Sequence, residues 1–160
     1  MKKFTKGFTL IELLVVIAII GILAVVVLAS LSSARERSAD AAIKSNLDTV
    51  RKQAAIYFNG AGNGSYGTDL NHAGATCSAR GGSLATTLFV LDSNINAALL
   101  QAETKGISRC AVSDSGDAYA LAVRLSTNYW WCIDSTGAVK ESTSVSSPDL
   151  DGSGALARCE

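Results

Sequence analysis

The chain has 160 residues, of which 48% are hydrophobic and 18% are charged, and its 14 basic residues balance its 14 acidic residues. This length allows one compact domain plus an anchoring segment and argues against two full-sized domains. A net charge of zero gives no support for a nucleic-acid partner held by bulk attraction. Lys2, Lys3 and Lys6 precede an apolar segment, so the chain after them is acidic by three charges.

The apolar segment begins at Phe8 and ends at Leu31, and only Thr9, Glu12 and Ser30 interrupt it. About 20 helical residues cross the hydrocarbon core of a bilayer, at a rise of about 1.5 Å each. The segment is therefore long enough to span a membrane. The basic residues before it predict a cytoplasmic N-terminus and an exported C-terminal part, by the positive-inside rule.

Three ordinary interpretations compete for this segment. A secretory signal peptide has a shorter apolar region and a small-residue cleavage site, which residues 29–34 match only weakly. A signal anchor leaves Glu12 unexplained, because an ionisable group costs a few kcal/mol to insert and marks a functional site. We expect Glu12 to pair with Lys6, or with the amine of Phe8 after a cut at Gly7, within one chain or between subunits. A buried helix of a soluble protein needs neither the leader nor the glutamate.

The sequence KGFTLIE at residues 6–12, followed by an apolar helix, resembles the signature of type IV prepilins and type II secretion pseudopilins. The resemblance implies that a prepilin peptidase cuts after Gly7 and N-methylates Phe8. It also implies that Glu12 offsets the N-terminal charge of an adjacent subunit and sets its axial position. Before assembly such a subunit lies in the membrane. An inner-membrane assembly platform then joins it to copies of itself and other pilins, in an extracellular pilus or a periplasmic pseudopilus.

The resemblance is strong over residues 1 to about 58 and loose beyond. Many major pilins have a proline in the apolar helix near the position of Ala29, whereas the one proline here is Pro148. Gly21 is the weak point that remains, at about 1 kcal/mol relative to alanine in a helix interior. Local melting of the helix on assembly, as the family shows, would therefore centre near Gly21.

Beyond the apolar segment, hydrophobic residues recur with helical spacing. The sequence predicts one continuous helix of about 50 residues, from Phe8 to Phe58, whose second half has a single apolar stripe. Four glycines in residues 59–67 end this helix. The stripe consists of Ile43, Leu47, Val50, Ala54 and Tyr57.

The remaining residues predict a small globular head. A variable loop extends to Gly82, and Asp92 or Ser93 caps a short helix that ends near Gly106. Alternating residues then predict an antiparallel sheet of three or four strands, one face of which covers the helix stripe. The strands are expected at 107–112, 118–125, 128–133 and 138–142, with a turn at 134–137.

The predicted fold class is α+β with a pilin-like architecture. The predicted divisions are a leader at 1–7, a transmembrane and polymerisation helix at 8–31, an amphipathic helix half at 32–58 and a head at 59–160.

Four cysteines lie in the C-terminal half, and none has the close spacing of a zinc or thioredoxin-like motif. Disulfides in an exported head are the better interpretation. Four cysteines allow three pairings, which sequence alone does not separate. We favour Cys77 with Cys110, which joins the loop to the first strand, and Cys132 with Cys159, like the disulfide-bounded C-terminal loop of many pilins.

Two features have both a functional and an ordinary interpretation. Asp149 and Asp151 precede a glycine, like the start of a calcium loop, but no glutamate follows at the usual spacing, so a polar turn is favoured over Ca²⁺. Trp130 and Trp131 are neighbours on a strand and must face opposite ways. One can lie in the core and the other can be exposed as an adhesive or subunit contact, but packing at the core edge is the favoured interpretation.

No catalytic constellation is present in the sequence. His72 is the one histidine and is interpreted as a surface-loop residue, and no cofactor is expected. The chain is predicted to be a substrate of enzymes rather than an enzyme. The favoured function is a type IV pilus subunit, the second a type II secretion pseudopilin, and the third a membrane-anchored binding module that does not polymerise.

Overall fold

The computed structural model describes residues 8–67, 77–78, 86–143 and 159. The predicted leader, His72, Pro148, Asp149 and Asp151 lie outside the described residues. The chain divides into two compact units, one up to Glu36 and one from Arg37 onwards.

The described elements are three helices and a four-stranded antiparallel sheet whose strands follow one another in chain order. The α+β prediction, a long apolar N-terminal helix with an antiparallel sheet, is confirmed. Helix α2 has only four residues and was not predicted. The elements are α1 (Leu10–Asn59), α2 (Leu88–Leu91), α3 (Ser93–Glu103), β1 (Ser108–Val112), β2 (Tyr119–Arg124), β3 (Trp130–Asp134) and β4 (Val139–Ser142).

The core of the second unit forms where the stripe of α1 meets the sheet. All five predicted stripe residues are buried, and they share one hydrophobic cluster with Tyr119, Leu121 and Val123 of β2. Alternation along a strand sends these three side chains to the same face. Fully burying a side chain of this size contributes about 1.5–3 kcal/mol, so this layer is the main source of stability in the head.

The second face of β2 is also buried, which the prediction of one covered face did not include. Ala122 packs with the disulfide-bonded Cys132 and Cys159. Ala120 packs with Ala111 and Ala118. Small side chains suit this face because the C-terminal cysteine lies against it.

Two carboxylates of the head join distant parts of the chain. Asp92 caps α3 by accepting hydrogen bonds from the N–H of Asn94 at 2.8 Å and of Ile95 at 3.0 Å. Its other oxygen accepts from Gln53 Nε2 of α1 at 3.0 Å. The prediction of a capped helix at this position is confirmed. Asp40 Oδ1 accepts from the N–H and the hydroxyl of Ser126, both at 2.8 Å, and so joins α1 to the β2–β3 turn.

The adjacent tryptophans are both half-buried, which agrees with the favoured core-edge interpretation and not with an exposed adhesive ring. Trp131 packs against the main core, and Lys44 Nζ lies 4.1 Å from its ring centroid. Trp130 lies on the opposite face, with Arg109 Cζ at 5.3 Å. Each ring has a cation over it and the core beside it, so the core-edge alternative describes both.

Asp134 organises the β3–β4 turn and the C-terminus, although it is only 2% exposed. Its Oδ1 accepts from Thr136 N–H at 2.9 Å, Thr136 Oγ1 at 2.6 Å and Ala138 N–H at 3.1 Å. Its Oδ2 accepts from Cys159 N–H at 3.0 Å. Burial raises the pKa of Asp134, but these hydrogen bonds outweigh it and leave the pKa below its ordinary value of 3.8.

We expect Asp134→Asn to lower the free energy of unfolding at pH 7 by about 1–3 kcal/mol, because a buried network then loses an acceptor. The carboxylate has a lower pKa in the folded than in the unfolded chain. Its contribution is therefore complete above its unfolded pKa and is lost as pH falls through the folded pKa. The free energies of the parent and the variant should converge in acid.

The measurement is denaturant unfolding of the full chain in detergent micelles, followed by tryptophan fluorescence as a function of pH. Asp114→Asn is the matched control, because Asp114 is exposed in the neighbouring turn. An Asp134→Asn variant as stable as the control at pH 7 would contradict the role assigned to this carboxylate.

Candidate assembly site at the start of the first helix

The first turn of α1 is held by a reciprocal pair of side chains. The backbone N–H and the hydroxyl of Thr9 donate to Glu12 Oε2, at 2.9 and 2.6 Å. Thr9 Oγ1 in turn accepts from the N–H of Glu12 at 3.3 Å. Thr9 stands immediately before the first helical residue, and Glu12 is the third residue of the helix. This arrangement is a capping box, which satisfies N–H groups that a helix start leaves without partners.

The capping box adds a hydrogen-bond partner that the expected pairing of Glu12 with Lys6 or with the amine of Phe8 did not include. Thr9 already supplies two donors, and both act on the same carboxylate oxygen. Among the described residues, none donates to Oε1, which remains available to a group from outside the chain. A threonine followed three residues later by a glutamate is a recognisable helix-start pattern, so the sequence carried this signal.

The surface around Glu12 is apolar and open. A shallow groove beside the carboxylate is lined by Phe8, Ile11, Val15 and Val16. Phe8 is 81% exposed and Leu10 is 82% exposed. By length and composition α1 is apolar enough to cross a membrane, with a mean hydropathy of 3.2 over its most apolar window.

The apolar surface continues along the first half of α1. Every described residue from Phe8 to Leu31 is exposed within this chain. Gly21 lies within the unbroken helix, and no atom lies within 4 Å of the place that a β-carbon would occupy. Packing inside the chain therefore gives no reason for a glycine at this position.

The other predicted site residues lie in the head or beyond the described residues. Gly7 is outside the described range. The disulfides join Cys77 to Cys110 and Cys132 to Cys159, with Cα–Cα distances of 5.9 and 5.8 Å, which is the pairing favoured from the sequence. The two aspartates named for calcium lie outside the described range. Within that range, no cluster of three or more His, Cys, Asp or Glu side chains could hold a metal ion.

A polar network that the sequence did not reveal holds Cys77 and the next residue in place. Cys77 N–H donates to Ser108 Oγ at 2.9 Å, and Ser78 N–H donates to Glu103 Oε1 at 3.1 Å. The hydroxyls of both serines donate to the same Glu103 carboxylate. Because each of these groups forms a hydrogen bond to another segment of the head, the network has a structural role.

Comparison with known proteins concerns mainly the N-terminal segment. Residues 2–28 match the family model described as the prokaryotic N-terminal methylation motif. The type IV wide pilus major component PilA4 of Thermus thermophilus is 50% identical over 52 residues, which are 32% of this chain and 40% of that protein. The chain thus spans less than half of the length of the curated relative that it matches, and no solved structure matches it.

The matched relative is the major component of a type IV wide pilus, and the methylation motif implies prepilin processing. The matched residues contain the capping box and most of the exposed apolar surface. The N-terminal segment of the chain therefore carries the prokaryotic N-terminal methylation motif and is similar to the matched segment of a type IV pilus component.

Proposed function

We propose that this chain is a structural subunit of a type IV pilus, cut after Gly7 by a prepilin peptidase, N-methylated on Phe8 and polymerised through the first half of α1. The observation that carries the proposal is the apolar surface from Phe8 to Leu31, exposed throughout and bearing a single carboxylate, Glu12. PilA4, the major component of a wide type IV pilus, supports the choice of a pilus by its identity over 52 residues.

An apolar surface of this extent requires a covering partner. Soluble monomers rarely expose contiguous apolar patches beyond a few hundred Å². A lipid bilayer covers the helix before assembly, with the basic leader on the cytoplasmic side. In the filament, the same helices of neighbouring subunits cover one another, so one surface serves both states.

Glu12 is the one group in this surface able to recognise a charge. Thr9 binds Oε2, while Oε1 has no donor among the described residues. Cleavage after Gly7 creates an amine on Phe8, directly before the capping residue. In the proposed filament, this amine of one subunit meets the Glu12 carboxylate of the next, at low dielectric where such a pair is strong.

The partners that follow are copies of this chain and related pilins, the prepilin peptidase and an inner-membrane assembly platform. The subunit first crosses the membrane once, with its N-terminus in the cytoplasm, and then resides in an extracellular fibre. The balanced total charge of the chain gives no role to bulk attraction of nucleic acid.

Mass spectrometry of the mature chain tests the processing. We expect the first residue to be Phe8 with one added methyl group, whereas the uncut chain begins at Met1. Substitution of Gly7 by a larger residue should leave the leader attached, because the peptidase must accommodate this position. A mature chain that begins at Met1, or near Ala34, would support the non-polymerising anchor instead.

Deletion of the gene should remove surface fibres that contain this chain. A secretion defect without loss of fibres would contradict the pilus proposal and support the pseudopilin alternative. Restoration of the fibres by the intact gene is the control.

Three substitutions separate the charge of Glu12 from its capping role. Glutamine preserves the cap but removes the charge, whereas alanine removes both. If the charge pairs with a neighbouring amine, Glu12→Gln and Glu12→Ala should each reduce filament yield by at least about tenfold, a loss of about 1.4 kcal/mol per contact. Thr9→Ser retains the capping hydroxyl and should assemble normally.

Membrane insertion is the control measurement, because the apolar segment alone suffices to insert and all three variants should be found in the membrane fraction. Filament yield is measured by quantifying sheared fibres relative to total subunit. Normal yield from Glu12→Gln together with loss from Glu12→Ala would assign the effect to helix capping and overturn the charge pairing.

A further inference from the structure

A polar pocket of about 320 Å³ opens between the second half of α1 and the β3–β4 turn. It lies wholly in the second unit, and none of its lining residues belongs to the apolar surface on which the proposed assembly rests. Its size is at the lower end of the range for small-molecule sites. The residues that define it chemically are Arg51, Lys52, Tyr66, Tyr119, Asp134 and Ser135.

Two buried tyrosines that line the pocket have unsatisfied hydroxyls. Tyr119 is 2% exposed and Tyr66 is 7% exposed, and their rings meet edge to face at 4.8 Å. No hydrogen bond joins either phenol hydroxyl to any part of the described chain. Buried tyrosine hydroxyls usually have a partner, and leaving one without costs about 1–3 kcal/mol. A group bound in the pocket could therefore supply the missing hydrogen-bond partner of both hydroxyls.

Tyr119 lies among ionisable groups that line the same pocket. Burial raises the pKa of Tyr119 well above its usual range, and the nearby Tyr66 hydroxyl and Asp134 carboxylate add to this, while Arg51 opposes it. All three of these neighbours line the pocket. Tyr119 itself also lines the pocket.

The polar groups of the pocket are mostly donors. Its one carboxylate, Asp134, already accepts four hydrogen bonds from the turn and from Cys159. Arg51 Nη2 donates to Asp48 Oδ1 at 2.9 Å, and Lys52 Nζ lies 2.6 Å from Asp48 Oδ2. A guanidinium has five N–H donors, so one contact with Asp48 leaves others for the pocket. Asp48 and Asp134 balance these two cations in charge, but Asp134 is already occupied by its own four donors.

We propose that this pocket binds a small oxyanion, a carboxylate or phosphate group, between the guanidinium of Arg51 and the hydroxyls of Tyr66 and Tyr119. An anion with several acceptor oxygens would satisfy both phenols at once and receive charge-assisted hydrogen bonds from Arg51. Lys52, at the exposed rim, supplies a second positive charge to the rest of the ligand.

The experiment uses the full chain, unassembled, in micelles of a neutral detergent. Sodium phosphate and sodium citrate are titrated separately at constant ionic strength against sodium chloride, and the backbone amide shifts of Ser135 and Gly137 are followed by NMR. At least one of the two anions should produce saturable shifts that chloride does not. Which anion binds more tightly distinguishes phosphate from carboxylate chemistry.

Tyr119→Phe and Arg51→Gln should each weaken binding of that anion by about tenfold, since each removes one hydrogen bond to a charged group. Tyr119→Phe keeps the ring packing and removes an unpaired hydroxyl, so the melting temperature without anion should not fall. This expectation separates loss of binding from loss of folding. Tyr57→Phe is the matched control, because Tyr57 belongs to the same core but does not line the pocket.

Absence of saturable shifts with both anions would overturn the proposal. So would equal affinity of the parent and of both pocket variants, because binding would then occur elsewhere on the head. Unchanged affinity in Tyr57→Phe together with loss in the two pocket variants would support it.

Discussion

Burial of the α1 stripe against β2 is the contact around which the head is arranged. Five α1 side chains at helical spacing meet the three β2 side chains that alternate toward them. Helix and strand periodicity thus agree on one shared layer, which fixes the face that each element presents. Because apolar contacts are non-directional, hydrogen bonds define the alignment of α1 with the other elements more closely. Asp40 holds the β2–β3 turn, and Gln53 reaches the capping carboxylate of α3.

A central strand buried on both faces constrains everything packed against its second face. Ala122 leaves room there for the bond between Cys132 and Cys159, while Ala120 packs with Ala111 and Ala118. Asp134 binds the backbone of Cys159, so the C-terminal cysteine is positioned by a hydrogen bond as well as by a disulfide. The bond between Cys77 and Cys110 attaches a second distant segment to edge strand β1. Each disulfide restricts the conformations of the unfolded chain and thereby stabilises the folded chain by about 2–4 kcal/mol.

Local signals in the sequence were sufficient for most elements of the fold. The helix stripe, the Asp92 cap and all four strands lie within a few residues of their predicted positions, because periodicity and turn residues act locally. Helix α2 is too short to show a period. The pairing of Asp40 with Ser126 spans 86 residues and has no local signature. Burial of the second face of β2 was missed because it depends in part on Cys159, which is distant in sequence from β2.

At the candidate assembly site, the sequence predicted a role for Glu12 but not its hydrogen-bond partner Thr9. Because Glu12 is a charge in an apolar segment, charged partners were predicted for it. The structure shows instead a hydrogen bond from a neutral threonine three residues away. The capping pattern was present in residues 9–12, and its two donors converge on one oxygen. The polar pocket was not foreseen at all, since its residues come from four separate parts of the chain.

Capping and charge pairing by Glu12 depend on each other in the proposed filament. The start of a helix carries a partial positive charge, which attracts a carboxylate and opposes an approaching amine. Glu12, held by Thr9, offsets that field and covers N–H groups that hydrocarbon cannot satisfy. The side chain is also oriented before a neighbour arrives, so less rotamer freedom is lost on contact. A carboxylate fixed in this way permits the amine of another subunit to approach a helix start that would otherwise repel it.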